Sequence, residues 1–165
     1  RVCQIFQKKM ESRRIQWKLN LKGKTALVTG GSKGIGLAIK KALEDIFWKE
    51  KPILSYGLSG MASGIDLIFC QLCLEHEIPY AACIPFDEQQ DLVEEHEKEL
   101  RLDLISKAAA IYKIRNSQMV EKADAAIVIW DGNKGGTHNV VQQLIENNKP
   151  FIWINPAGQK TWDCF

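Results

Sequence analysis

Lys24-Thr25-Ala26-Leu27-Val28-Thr29-Gly30-Gly31-Ser32-Lys33-Gly34-Ile35-Gly36 decides the fold: a short apolar run ends in glycines, and an amphipathic stretch follows. The run reads as a buried strand, and the glycines stand where the backbone must turn tightly into a helix and can approach a phosphate closely. Outward from this unit the same alternation continues. Val- and Ile-rich runs predict strands over 25–29, 53–58, 80–84, 125–130 and 151–154, with a short additional one around 109–112. Between them, helices are expected over 34–48, 64–75, 91–107, 116–122 and 137–147. Strands alternating with helices specify a parallel sheet covered on both faces, so the expected fold is a Rossmann-like, doubly wound α/β domain of three αβα layers. Ligands of such sheets bind at the carboxyl ends of the strands, where the loops meet helix N-termini.

The 165 residues suit one domain, and 45% apolar content is enough for a single core. Residues 21–165 are expected to form that domain, with 1–20 a polar N-terminal extension without fixed structure. Met10-Glu11-Ser12 reads as a translation start, which would make Arg1 to Lys9 upstream or fusion sequence. Lys and Arg number 22 against 20 Asp and Glu, a net +2 that supplies no long-range field for a polyanion. The five cysteines are odd in number and scattered, which fits a reducing, cytoplasmic setting better than a disulfide scaffold. No apolar run approaches the roughly 18 residues that span a bilayer, so no membrane association is expected. Homo-oligomerisation is left open.

Two more glycine-bearing loops follow strands. Ser59-Gly60-Met61-Ala62-Ser63-Gly64-Ile65-Asp66 brings small residues to a strand end and places Asp66 in the first helical turn, able to accept hydrogen bonds from a ribose or base. Trp130-Asp131-Gly132-Asn133-Lys134-Gly135-Gly136-Thr137 leaves a strand with an acid and enters a helix through paired glycines, an N-terminal anion site. The candidate ligand-binding residues are Gly30, Gly31, Ser59, Gly60, Gly64, Asp66, Pro85, Arg115, Asn116, Asp131, Gly135, Gly136 and Thr137. Arg115 suits a phosphate or carboxylate because its fork bonds such groups in pairs, with a solvated Arg as the plainer alternative. Asp66 and Asp131 have helix or turn capping as their alternative. His138, beside Thr137, and Trp130 are lesser candidates. Cys70 and Cys73 share a helix without a second pair, so buried thiols are expected rather than a metal site. The run 94–99 reads as the wet face of a helix, with His76 and His96 solvated.

Residues 21–43 resemble the opening of short-chain dehydrogenases, particularly tropinone-reductase-like members. Their chemistry needs a Tyr followed four residues later by a Lys, whose charge lowers the phenol pKa. Tyr56, Tyr80 and Tyr112 are followed at that spacing by Gly60, Ile84 and Asn116, so NADP-dependent reduction is not expected. Over residues 57–162, the order Ser59-Gly60…Gly64…Asp66, Ile84-Pro85-Phe86, Arg115-Asn116…Met119-Val120, Trp130-Asp131-Gly132 and Gly135-Gly136-Thr137 resembles the SLOG superfamily. The similarity is to its uncharacterised bacterial and phage branch, which is related to the DNA-processing protein A and lonely-guy families. That branch usually opens on T-G-H-R, whereas Thr29-Gly30 here continues into Gly31-Ser32, and its segment before R-N is longer than Tyr112-Lys113-Ile114. The chain thus reads as a chimera of two related strand–glycine–helix architectures.

The resemblance implies binding, or sensing, of a nucleotide or an ADP-ribose-like phosphate ligand. It also brings two alternatives. One is hydrolysis of a nucleotide N-glycosidic bond, as in lonely-guy enzymes, of whose P-G-G-x-G-T loop only Gly135-Gly136-Thr137 is matched. The other is single-stranded DNA binding, for which Lys33, Arg115 and Lys134 make a thin basic patch. No catalytic residue is assigned.

Overall fold

The computed structural model describes residues 23–30, 40, 54–85, 93–155 and 160–164. Among the described residues, seven strands form one sheet: β1 (Lys24–Gly30), β2 (Leu54–Ser59), β3 (Tyr80–Cys83), β4 (Ala110–Tyr112), β5 (Ala125–Ile129), β6 (Phe151–Asn155) and β7 (Lys160–Cys164). The described helices are α1 (Ile65–Glu75), α2 (Lys98–Ser106), α3 (Asn116–Lys122) and α4 (Gly136–Glu146). The strand order is β4-β3-β2-β1-β5-β6-β7. All neighbours from β4 to β6 are parallel, which confirms the expected Rossmann-like, doubly wound α/β fold.

The sequence pattern explains the layers. Every residue of β5 is buried, as a central parallel strand covered on both faces requires. Ala125, Ile127 and Ile129 join a core with Ile65, Phe69 and Leu72 of α1 and Leu104 of α2, while Ala126 and Val128 face Val120 of α3 and Val140 and Leu144 of α4. The Tyr80 hydroxyl, inside the first core, donates to the Leu104 carbonyl and ties β3 to α2. The Asp124 carboxylate accepts from the Thr25 amide at 2.8 Å, and the Asp124 amide donates to the Thr25 carbonyl. Together these bonds fix the start of the β1–β5 pairing.

Three expectations are corrected. The antiparallel edge strand β7 was not foreseen, because Lys-Thr-Trp-Asp-Cys carries no apolar run; its pairing with β6, Phe151 against Cys164 through Asn155 against Lys160, makes it a strand. The helix expected over 91–107 is shorter: a 3-10 turn at Glu95–Glu97 leads into α2 at Lys98. The run 94–99 is also not uniformly wet, since Glu97 is only partly exposed and bonds a neighbouring loop. Of the helix expected over 34–48, only Lys40 falls among the described residues, helical and paired with Glu75 at 2.9 Å. The expected extension 1–20 lies outside them. Among the described residues, no helix is long and apolar enough to cross a membrane.

This strand order fixes where a site can lie. From β1 the chain steps outward through β2, β3 and β4, then returns to the other side of β1 for β5 and β6. In open sheets of this kind the crevice for a ligand lies outside the carboxyl ends of the two strands at which the order reverses, here β1 and β5.

Candidate functional site at the β1–β5 crevice

The floor of the crevice is held together by glycine. A Cβ on Gly30 would fall 2.8 Å from both the Cβ and the carbonyl oxygen of Ile129, and 3.0 Å from Cγ1 of Ile65. Gly30 thus lets the ends of β1 and β5 and the start of α1 meet without a side chain between them. Gly31 lies outside the described residues.

Loop 59–64, between β2 and α1, is gripped from several sides. The Ser59 hydroxyl is fully buried; it donates to the Asp66 carbonyl at 3.1 Å and accepts from the Met61 amide at 3.2 Å. Met61 and Gly64 both take positive φ, 56° and 83°, so the loop turns sharply twice. Asp66 is 3% exposed, and its Oδ2 accepts from the Ala62 amide at 3.2 Å. A Cβ on Gly60 would lie 2.9 Å from that oxygen. Asp66 Oδ1 is buried without a hydrogen-bond partner of good geometry. Burial pushes the Asp66 carboxyl up to about 7, and the amides of Ala62, Gly60 and Gly30 hold it from rising further.

Two α2-side groups complete the grip. Arg101, also 3% exposed, donates from Nε to the Met61 carbonyl at 3.0 Å, and its Nη2 is buried without a partner. Glu97 Oε1 accepts from the Gly64 amide at 3.2 Å, while its Oε2 has no partner. One turn earlier, the Glu94 amide donates to the Ser63 hydroxyl at 2.9 Å. Sequence reading missed Glu97 and Arg101. The spacing 97, 101, 104 puts both on the stripe of buried Leu104, which was the available signal.

The opposite wall is loop 130–135. Both Asp131 carboxylate oxygens are engaged by Asn133, Oδ1 by its amide and Oδ2 by its side-chain nitrogen, each at 2.9 Å. These bonds hold the Asp131 carboxyl below its usual range, and they give it the turn-forming role weighed above. Trp130 Nε1 donates to the Asn133 carbonyl and Trp153 Nε1 to the Trp130 carbonyl, both at 2.7 Å. The His138 ring leans on Trp130 with centroids 5.5 Å apart, and its Nδ1 is buried and unpartnered. Gly135 and Gly136 are exposed, and a Cβ on either would meet nothing within 4 Å. Thr137 is half-buried in the first turn of α4, which has no side-chain cap. This helix N-terminus is therefore open to a group from outside.

Arg115 and Asn116 are exposed at the start of α3, where the Gln118 side chain accepts from the Arg115 amide at 3.0 Å. One turn on, Met119 Cε comes within 3.7 Å of the Cβ position of Gly60, so α3 packs on loop 59–64 through Met119. Pro85 is half-buried just beyond the end of β3. The fold brings Gly30, Ser59, Gly60, Gly64 and Asp66 into one cluster, buried at Gly30, Ser59 and Asp66 and half-buried at Gly60 and Gly64, and Gly135, Gly136 and Thr137 into an open one. Cys70, Cys73 and Cys83 are free buried thiols, with burial raising each. No protein-family model matches the chain, and no curated protein matches it.

Proposed function

We propose that this domain binds a nucleotide or nucleotide-derived phosphate ligand in the β1–β5 crevice. The observation that carries the reading is the unfilled N-terminus of α4 at the topological switch point, with two glycines that leave its amides open to a phosphate. In this reading the phosphate sits against Gly135, Gly136 and Thr137, the sugar or base lies toward Gly30 and Gly60, and Arg115, exposed at the start of α3, is a further anion contact. Ser59 and Asp66 act from beneath, by shaping the loop that the ligand lies on. The similarity to SLOG proteins over residues 57–162 supports the same ligand class, of which ADP-ribose and nucleoside monophosphates are representatives.

A thermal-shift series with AMP, ADP-ribose, NADPH and a short single-stranded DNA tests it. Stabilisation by AMP or ADP-ribose, reduced about tenfold in affinity by Arg115→Ala with the unliganded melting point kept, is expected. A cooperative melt that no nucleotide shifts would sink the proposal. Stabilisation by DNA alone, falling steeply with salt, would move it to the single-stranded DNA reading.

One observation favours a second reading, hydrolysis of the N-glycosidic bond. A carboxyl buried just beneath loop 59–64 and pushed up to about 7 is in the range that suits a general acid near neutral pH. Free base released from AMP by the wild type, and not by Asp66→Asn, is the expected signature. Saturating AMP without base release would exclude that reaction for this substrate.

A further inference from the structure

We propose that Arg101 is a positioning residue for loop 59–64: from α2 it holds Met61 in a left-handed conformation, and the domain keeps this contact at the expense of stability. The proposal rests on the nucleotide-binding reading for what the loop faces, while its own content is how the loop is held.

Two departures from ordinary packing meet at one peptide group. The first is Met61, whose φ of 56° lies in the left-handed region that a side chain disfavours. Gly64, at φ 83°, meets the same demand with glycine. Met61 meets it with a fully buried side chain, whose Sδ lies 3.6 Å from Sγ of Cys70. The residue is thus pinned at its side chain by the core and at its carbonyl by Arg101.

The second departure is Arg101 itself. Its side chain is 3% exposed, Nε donates to the Met61 carbonyl at 3.0 Å, and Nη2 has no partner. Among the described residues it forms no ion pair: Lys98 pairs with Glu95 and Lys107 with Asp103, while Glu97 gives its Oε1 to the Gly64 amide. Burial lowers the guanidinium from its ordinary value, and no carboxylate offsets the shift. A buried cation without a counter-ion destabilises a fold, and an apolar residue of similar length usually serves the core better. Stability therefore does not account for an arginine here, whereas holding one carbonyl does.

Strained backbone and costly burial concentrate where a shape is needed for function. Loop 59–64 leaves the carboxyl end of β2, and Gly60 is on the side where the sugar or base is placed. The other bonds to the loop hold other atoms: Asp66 the Ala62 amide, the Glu94 amide the Ser63 hydroxyl, and Glu97 the Gly64 amide. Without Arg101, Met61 is free to relax toward negative φ, and its carbonyl can turn to water. A ligand would then have to re-form the loop on binding, which weakens its affinity.

The test uses the full chain, 15N-labelled, with thermal melts, hydrogen exchange and titrations with AMP and inorganic phosphate. The amides of Met61 and Ala62, bonded to Ser59 Oγ and Asp66 Oδ2, report the loop, and Gly136 reports the α4 end. Arg101→Met keeps the apolar stem and removes the charge and the donor, whereas Arg101→Lys keeps a donor for the carbonyl. The Met variant is expected to melt no lower than the wild type. Its Met61 and Ala62 amides should lose protection at least about tenfold, and AMP should bind about five- to tenfold more weakly. Phosphate affinity at Gly136 should not change, and the Lys variant should recover most of the AMP affinity.

A Met variant less stable than the wild type would make Arg101 an ordinary structural contact and overturn the proposal. Unchanged protection at Met61 and Ala62, unchanged AMP affinity, or equal losses of AMP and phosphate affinity would do the same. If neither AMP nor phosphate shifts Gly136 in the wild type, the nucleotide-binding reading fails, and the melts and the protection at Met61 and Ala62 still decide the role of Arg101.

Discussion

Asp66 sits at the junction of fold and site, and its burial has a measurable consequence. Its carboxyl titrates near 7 in the folded chain and near the ordinary carboxylate value when unfolded. Between these values the folded state binds more protons than the unfolded one, so stability falls as pH rises through that window and levels off above it. The protonated acid contributes most below about pH 4 and nothing above about pH 8. Urea titrations at pH 5 and pH 8 should therefore show the wild type losing stability on the order of 2 kcal/mol from this group. Asp66→Asn keeps an acceptor for the Ala62 amide and cannot ionise, so its loss over the same interval should be smaller by that amount. Parallel pH profiles for the two proteins would show that Asp66 ionises in the fold without penalty. Nothing in the string Ser-Gly-Met-Ala-Ser-Gly-Ile-Asp reveals this, since the sequence offers Asp66 equally as a cap and as a ligand contact.

At the scale of elements, the meeting of β1, β5 and α1 depends on Gly30. An added methyl group would strike the Ile129 carbonyl, a backbone atom that cannot rotate away. Gly30→Ala is expected to cost roughly 1–3 kcal/mol and to lower the melting temperature by several degrees. Gly136→Ala is the matched control: its methyl group enters open space at the start of α4, where alanine is a better helix former than glycine, so stability should hold or rise slightly. Equal effects of the two substitutions would mean that the close approach of β1 and β5 is not a constraint. The glycine at the end of β1 was legible as a turn; its packing role was not, because Ile129 and Ile65 are distant in sequence. Loop 59–64 teaches the same point. Its small residues were evident, whereas the side chains that hold it were not: Glu97 comes from a charged run whose composition reads as solvent-facing, and Arg101 follows just after it.

For the whole molecule, the described sheet ends on two short edge strands, β4 of three residues and β7, which pairs antiparallel with β6. The central strands lie between two separate cores, and the proposed ligand site lies at the carboxyl ends of β1 and β5, between loops rooted in the two. A ligand that spans the crevice contacts loops anchored in both cores, so its binding should stabilise the domain as a unit. At a hundredfold excess over the dissociation constant the gain is about 2.7 kcal/mol. AMP should then move a single cooperative melting transition upward; a transition that splits into two on adding AMP would mean that only one half responds.

Alternating apolar runs and glycine breaks were enough to determine the α/β class, the parallel strands β1 to β6, and helices α1, α3 and α4. These features are local: a buried strand needs a continuous apolar run, and a strand-to-helix turn needs small residues, wherever they occur. Tertiary structure alone decided the rest. It made Lys160–Cys164 a strand by pairing it with β6, engaged Asp131 with Asn133, sank Ser59 and Asp66 beneath their loop, and bonded the Gly64 amide to Glu97. Each of these depends on which atom meets which across the fold. A side chain's type states what it can bond, but only its neighbours determine whether that bond is made within the protein or left for a ligand.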